Sequence, residues 1–267
     1  MRNPVKSVVA AIALSAISLS AAEVINLTGK DMWKEYIGKG KVAYTEGQFT
    51  TDGYVMLGCS KLIEIDPAKT YTLKMTLVGN NAKRTTNYIG FDCVNPQGRG
   101  GAAYAWQGKN ASFTQVTRDA KKGDKVIYVK DGKNWNSSTI AHVIINAKED
   151  GSDIPNSATV ASGIASVKQE GEEWAINLKN PLKKDVAANT NVREHFAGGY
   201  MYVSTQSLPV NGTHTVNAVI KGSAAVPSNY SSKVWPFNAK KARLLLMLDY
   251  SKTGAKITVK DATLTIE

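Results

Sequence analysis

An alternation of apolar and polar residues with a period of two runs through most of this chain, and it constrains the fold more than any other feature. Residues 71–77 alternate tyrosine, leucine and methionine with threonine and lysine, which is the pattern of a half-buried antiparallel strand. The same period recurs at 174–178, 214–220 and 244–250. Short apolar runs indicate further buried strands at 62–65, 88–94, 126–129, 140–145 and 200–203.

Turn signals separate these segments at the spacing of short strands. The dipeptides are Asp52-Gly53, Asp131-Gly132, Asp150-Gly151 and Asn211-Gly212. Helical pattern is confined to 30–37 and 191–197, where each segment has room for one or two turns. Many short strands with almost no helix predict an all-β, antiparallel two-sheet sandwich, because a parallel sheet needs crossover helices.

Near the C-terminus the alternation changes phase. Ile257 and Val259 share one register, whereas Ala262 lies on the other. One extra residue in the strand would restore the apolar face, so this change predicts a β-bulge near Lys260–Asp261.

The least strand-like stretch is 148–166, which is rich in serine, glycine, alanine and aspartate. We interpret it as a long loop within one sandwich that spans residues 23–267. The alternative is a boundary between two domains, each of which would need its own core from five or six strands.

Residues 1–22 have the features of a secretory signal peptide. Arg2 and Lys6 precede a short apolar stretch, and small residues stand at 20–22. The alternative is an uncleaved anchor. No later stretch approaches the roughly 20 apolar residues of a membrane-spanning helix. We therefore expect a secreted or periplasmic protein with no membrane span.

The chain is basic, with a formal net charge of +11. Removal of residues 1–22 deletes two basic residues and no acidic one, which lowers the charge only to +9. An exported basic protein suits an anionic polysaccharide or envelope surface, and nucleic acid is not an expected partner. The alternative is that the charge serves solubility alone.

Few residues with catalytic or metal-binding chemistry are present. There are two cysteines and three histidines, and His142, His195 and His214 lie in different predicted elements. We therefore predict no catalytic residue and no metal ligand, with an enzyme as a minor alternative because triads assemble in space rather than in sequence. Cys59 and Cys93 either form a disulfide or are two small buried side chains.

Aromatic residues in polar loops are the strongest sign of ligand binding. Tyr104 and Trp106 follow a glycine-rich stretch, and Trp135 lies in a polar turn. Their rings offer planes on which the C–H face of a sugar stacks. The residues assigned to hydrogen bonds with sugar hydroxyls are Arg99, Asn134 and Asn136. The alternative is that each tryptophan plugs an end of the sandwich.

Several segments resemble the jelly-roll carbohydrate-binding-type modules of bacterial exported proteins and phage tail fibres, within the galactose-binding-like folds. These segments are IGFDCV at 89–94, SFTQVTRDA at 112–120, GDKVIYVKD at 123–131 with Trp135, LLLMLDY at 244–250 and ITVKDATL at 257–264. The resemblance covers 54–266. It implies a jelly roll that recognises glycans without catalysis. It also implies a structural calcium near the terminal strand, with Asp261 as the matching acidic residue, and no required cofactor.

Together these features predict a non-catalytic β-sandwich that binds a polysaccharide or a surface glycan, with an anionic glycan as one form of it. Two alternatives come from other classes. One is a structural or adhesive envelope protein that presents its sandwich to protein partners. The other is a polysaccharide lyase or hydrolase on the same kind of sandwich, which needs a cleft with a tyrosine or histidine beside an arginine.

Overall fold

The computed structural model describes residues 21–80, 83–94, 103–197, 200–208, 211–228 and 231–267. Most of the predicted signal peptide and Arg99 therefore lie outside the described residues. Within these ranges the chain forms strands and three single 3-10 turns, at Lys30–Met32, Ala103–Ala105 and Asn110–Ser112. The strands are β1 Glu23–Asn26, β2 Trp33–Gly38, β3 Lys41–Thr45, β4 Gln48–Asp52, β5 Val55–Cys59, β6 Ile63–Glu64, β7 Thr70–Asn80, β8 Thr85–Val94, β9 Thr114–Gln115, β10 Val126–Val129, β11 Ser138–Ile145, β12 Thr159–Glu170, β13 Glu173–Leu178, β14 Asn191–Phe196, β15 Met201–Leu208, β16 Thr213–Lys221, β17 Lys241–Leu248 and β18 Lys256–Ile266.

Two antiparallel sheets form a jelly roll. Sheet A has the strand order β16-β7-β18-β4-β3, with β1 also paired to β18. Sheet B has the order β15-β8-β17-β5-β2, with β6 also paired to β17. Successive strands cross between the sheets so that β4-β18-β7-β16 faces β5-β17-β8-β15, which is jelly-roll order. The prediction of an all-β antiparallel sandwich is confirmed.

Sheets A and B enclose one hydrophobic core. Sheet A contributes alternate residues of β7, and sheet B contributes alternate residues of β8 and β17. Trp235 is fully buried in this core, and its ring lies edge-on to Tyr71 at 5.0 Å and to Phe91 at 5.1 Å. The apolar positions predicted at 71–77 and at 244–248 therefore lie between the sheets.

The predicted change of phase in the apolar pattern occurs within β18. The pairing of β18 with β7 shifts between Lys260 and Thr263, and Asp261 has a φ of 52°. The predicted β-bulge near Lys260–Asp261 is thus confirmed. By contrast, Tyr250 does not continue the alternation of 244–248, because Asp249 takes a φ of 52° and turns the chain. Tyr250 is accordingly 49% exposed instead of buried.

The strands β9 to β14 form a third sheet, sheet C, and they lie between β8 and β15 in the sequence. Its order is β10-β13-β12-β11-β14-β9. Val116 pairs with Val129, and the Thr117 N–H donates to the Tyr128 carbonyl at 2.9 Å, so β9 also joins β10 and the sheet closes on itself. Sheet C has a hydrophobic core of its own, which the expected single sandwich over 23–267 did not include.

Three segments differ from their predicted local structure. The expected loop at 148–166 ends early, because β12 begins at Thr159 and buries Val160 and Ile164 in the core of sheet C. The segment 191–197, with its weak helical pattern, is strand β14 between β11 and β9. The segment 30–37 makes one 3-10 turn and then pairs with β5. In each case pairing with a neighbouring strand outweighs a weak local preference.

Cys59 and Cys93 are both buried in the core between sheets A and B, and neither is in a disulfide. Burial raises the pKa of both thiols, as expected for small apolar side chains without access to water. Among the described residues, no helix is both long and apolar enough to span a membrane.

Candidate functional site

The two tryptophans predicted to stack on sugar rings are core residues. Trp106 is 2% exposed and packs in the core between sheets A and B, whereas Trp135 is 4% exposed and packs in the core of sheet C. The Trp135 Nε1–H donates to the Ser112 carbonyl at 2.8 Å. Neither ring therefore has the exposed face that stacking on a sugar requires. Burial of a large apolar ring in a core is more favourable than its exposure in a solvated loop.

The remaining predicted binding residues do not form one surface with these tryptophans. Tyr104 is half-buried, and its ring stacks on His142 with 4.2 Å between the ring centroids. Asn134 and Asn136 are exposed on either side of Trp135, and the Asn136 backbone N–H donates to Glu194 at 3.1 Å. Arg99 lies outside the described residues.

Strand β14 carries three consecutive polar residues that are fully buried: Arg193, Glu194 and His195. Arg193 forms an ion pair with Asp153 at 2.7 Å, and its Nε–H donates to His195 Nε2 at 3.0 Å. With Nε2 as acceptor, His195 Nδ1–H donates to the Tyr104 carbonyl at 2.7 Å. These bonds tie β14 to the β11–β12 loop and to the segment that precedes sheet C.

Burial keeps this cluster away from any substrate. It lowers the pKa of His195 to about 4, so the ring is neutral near pH 7, and it raises the pKa of Glu194 to about 7 against the charge of Lys109. A histidine beside an arginine is the pair that a lyase would need. Here both side chains have no exposed surface and their nitrogens are bonded internally, so the cluster is structural.

The calcium position that the resemblance implies is not supported by a group of ligands. Asp261 is exposed on the bulge of β18. In the part of the chain that the structure describes, no three His, Cys, Asp or Glu side chains are grouped to hold a metal ion. The candidate site must therefore come from other side chains.

Tyrosines collect on the outer face of sheet B, the face turned away from the core. Buried Met56, Leu245 and Met247 form a small apolar cluster on this face, separate from the core. Tyr54, Tyr88, Tyr200 and Tyr202 pack against it, and the Tyr250 ring contacts those of Tyr54 and Tyr88. We call these eight residues the tyrosine face. Strand pairing places its members together, because Met247 lies opposite both Tyr88 and Met56.

The five rings form one continuous strip. From Tyr54 the strip passes to Tyr250, Tyr88, Tyr202 and Tyr200, with successive ring centroids 6.1, 5.0, 4.8 and 6.4 Å apart. All these separations lie in the range of direct aromatic contact. Tyr54, Tyr88, Tyr200 and Tyr202 are half-buried, so each ring is supported on one side and open on another.

A bulge in β15 shapes the middle of the strip. The pairing of β15 with β8 shifts between Tyr202 and Ser204, and the bulge brings the Met201 carbonyl over Gly90. A Cβ at position 90 would lie 2.3 Å from that oxygen, so only glycine fits there. Tyr202 rests beside Met247, with its hydroxyl 3.8 Å from the sulfur, and burial raises its pKa to about 12.

Polar groups lie beside the strip on the same face. Asp92 pairs directly with Arg243 across β8 and β17, and it stands two residues along β8 from Gly90. Burial raises the pKa of Asp92 to about 6, while the charge of Arg243 acts in the opposite direction. Asp92 is only 7% exposed, so the half-buried Arg243 is the group of this pair that can donate to a ligand hydroxyl.

A cleft of about 580 Å³ adjoins the Tyr54 end of the strip. Three turns meet there, namely β2–β3, β4–β5 and β17–β18. The residues that line it are Ile37, Gly38, Lys39, Gly40, Asp52, Gly53, Tyr54, Asp249, Lys252 and Gly254. The turns approach closely, since a Cβ on Gly40 would lie 2.6 Å from the Gly53 carbonyl. The tyrosine face and this cleft form a single candidate site.

The sequence contains a signal for this face, but the signal lies in a strand, so a search for aromatic residues in polar loops does not find it. Residues 244–248 are apolar at five successive positions, although an antiparallel strand with one solvated face alternates. Such a run indicates that both faces of β17 are covered.

Neither of two comparisons with known proteins gives a match: no protein-family model matches the chain, and no curated protein matches it.

Proposed function

We propose that the jelly roll binds carbohydrate, without chemistry, on the tyrosine face of sheet B. The observation that carries this proposal is the continuous strip of five half-open tyrosine rings over buried Met56, Leu245 and Met247. A contiguous aromatic patch on one sheet is more typical of a binding surface than of an ordinary solvated surface. The ligand we propose is a polysaccharide or a surface glycan.

The chemistry of the face suits sugars. The C–H side of a pyranose stacks on an aromatic ring, and a tyrosine adds a hydroxyl that exchanges hydrogen bonds with the sugar. Arg243 supplies donors next to the rings, on the strand paired with β8. Five strands at a spacing of about 4.8 Å span about 20 Å, which accommodates several sugar units of an extended chain.

The proposal includes a place of action outside the cytoplasm. The signal-peptide features of residues 1–22 support it, and a soluble extracellular or periplasmic glycan is then within reach. The mass of the exported protein tests this part directly, since cleavage after position 22 removes residues 1–22.

The test of binding is a variant that removes two central rings, Tyr88→Ala/Tyr202→Ala. Wild-type protein and variant are compared by affinity electrophoresis through soluble neutral and acidic polysaccharides, after a glycan array has chosen the panel. Each stacked ring contributes about 1 kcal/mol, so the double variant should bind about tenfold or more weakly.

The matched control is Tyr128→Ala on sheet C, where a half-buried tyrosine lies under Arg118 at 3.5 Å. This control should retain wild-type binding. Equal retention of the wild type and the Tyr88/Tyr202 variant, with unchanged circular dichroism, would refute the site. A wild type that binds no glycan but assembles with increasing concentration would favour the structural or adhesive function instead.

A further inference from the structure

We propose that the cleft at the Tyr54 end of the tyrosine face is a subsite for an acidic group of the bound glycan, a carboxylate or a sulfate. This inference rests on the proposed carbohydrate binding and narrows it to an anionic chain. The cleft is continuous with the strip, because Tyr54 belongs to both. A chain stacked along the rings therefore reaches the cleft with its next units.

The free charges of the cleft are positive. Lys39 and Lys252 line it, both are exposed, and within the described residues neither has a carboxylate at ion-pair distance. The Lys252 ammonium lies 5.5 Å above the Tyr54 ring, which ties one cation to the end of the strip.

Both carboxylates of the cleft already have partners within the protein. Asp52 faces Lys256 at 3.6 Å. Asp249 has no exposed surface, and both of its oxygens accept hydrogen bonds, including those of the Thr253 and Gly254 backbone N–H groups at 3.0 Å. An anion in the cleft therefore meets two ammonium groups that have no carboxylate partner among the described residues, whereas Asp52 is paired with Lys256 and the Asp249 oxygens are engaged by hydrogen bonds.

Asp249 also fixes the turn that carries one of these cations. Burial alone would raise its pKa, but hydrogen bonds from Thr85 and Thr253 outweigh that effect and hold the pKa below its usual value. The charged carboxylate thus organises 249–255, from which Tyr250 joins the strip and Lys252 overhangs the cleft. A pre-formed turn reduces the ordering cost of binding.

The test compares acidic polysaccharides with their neutral counterparts. The probes are polygalacturonate and its methyl ester, and dextran sulfate and dextran, with binding to the full chain measured by calorimetry at physiological salt. We expect the acidic member of a pair to bind more tightly. In Lys39→Gln/Lys252→Gln this preference should fall by about fivefold, because exposed charges contribute modestly, and affinity for the neutral member should not change.

The control is Lys122→Gln/Lys184→Gln, which removes two exposed lysines from the β9–β10 and β13–β14 loops and lowers the net charge equally. An equal loss in this control, or equal binding of both members of each pair, would overturn the subsite. A response to dextran sulfate alone identifies sulfate as the group, and a response to polygalacturonate alone identifies carboxylate. Neutral glycans that bind through Tyr88 and Tyr202 without any lysine dependence would refute the subsite and leave the proposed function intact.

Discussion

The two outer faces of the jelly roll are built from different residues. On β7 of sheet A, the side chains that alternate with the core are threonine and lysine, such as Thr72 and Lys74, and Thr50 and Thr258 lie with their hydroxyl oxygens 2.9 Å apart on neighbouring strands. On β8 and β17 of sheet B, the corresponding positions include Tyr88, Leu245 and Met247 beside the Asp92–Arg243 pair. Sheet A thus has an ordinary solvated face, whereas the outer face of sheet B carries an apolar cluster covered by tyrosines.

The inner faces of the two sheets supply the residues of the hydrophobic core. Both sheets bury alternate residues in the same core, so the apolar outer face of sheet B adds little to that packing. Tyrosine is suited to such a face, because its ring covers apolar neighbours while its hydroxyl stays near water. The outer face of sheet B is therefore the part of the sandwich whose composition points to a ligand.

The largest expected effect is a difference in the free energy of unfolding between variants on the inner and the outer face of β8. Phe91→Ala removes a fully buried ring from the core and should lower the free energy of unfolding by about 3–5 kcal/mol. Tyr88→Ala, three residues earlier on the outer face, should cost about 1 kcal/mol. Chemical denaturation measures both. Similar losses for the two variants would mean that the outer face is part of the folding core, which would weaken its assignment to a ligand.

A second expected effect concerns the carboxyl group on the same face. The pKa of Asp92 is about 6, above its ordinary value of 3.8, so its contribution to stability is complete below about pH 4 and is lost as the pH rises through 6. Two pKa units correspond to about 3 kcal/mol at most. We expect Asp92→Asn to gain about 2 kcal/mol relative to wild type between pH 4 and pH 7, measured by denaturation at each pH. Parallel stability curves would contradict the burial of this carboxyl group.

Much of the fold follows from the sequence because alternation reports which face of a strand is buried. The strands at 71–77 and 214–220 and the bulge at Lys260–Asp261 were predictable from the phase of apolar residues alone. The closed sheet C was not, since its strand β12 is rich in small residues such as Ala161 and Gly163 that resemble a loop. Small residues fit the interior of a closed sheet, and local composition does not reveal that packing.

The candidate site was less predictable, because exposure depends on packing across long distances in the chain. Trp106 and Trp135 stand in polar segments, yet they fill two different cores. The tyrosine face joins residues from 54 to 250, and only strand pairing brings Tyr88 next to Tyr250 and Tyr202. Sequence identifies the residue types that bind sugars, whereas the pairing of strands decides which of them share a surface.

The smallest expected effect tests the inner face of sheet B through its thiols. Cys59 and Cys93 are 2% and 1% exposed, and burial raises the pKa of each, so neither should react with a thiol reagent in the native protein. Two thiols per chain should react after unfolding without reductant. Rapid labelling of the native protein would show an open inner face. No thiol after unfolding would show a disulfide instead. Labelling that is as slow as unfolding would show that the inner face of sheet B is closed to solvent. Together with glycan binding on the tyrosine face, it would establish that one sheet carries a buried face and a ligand-binding face.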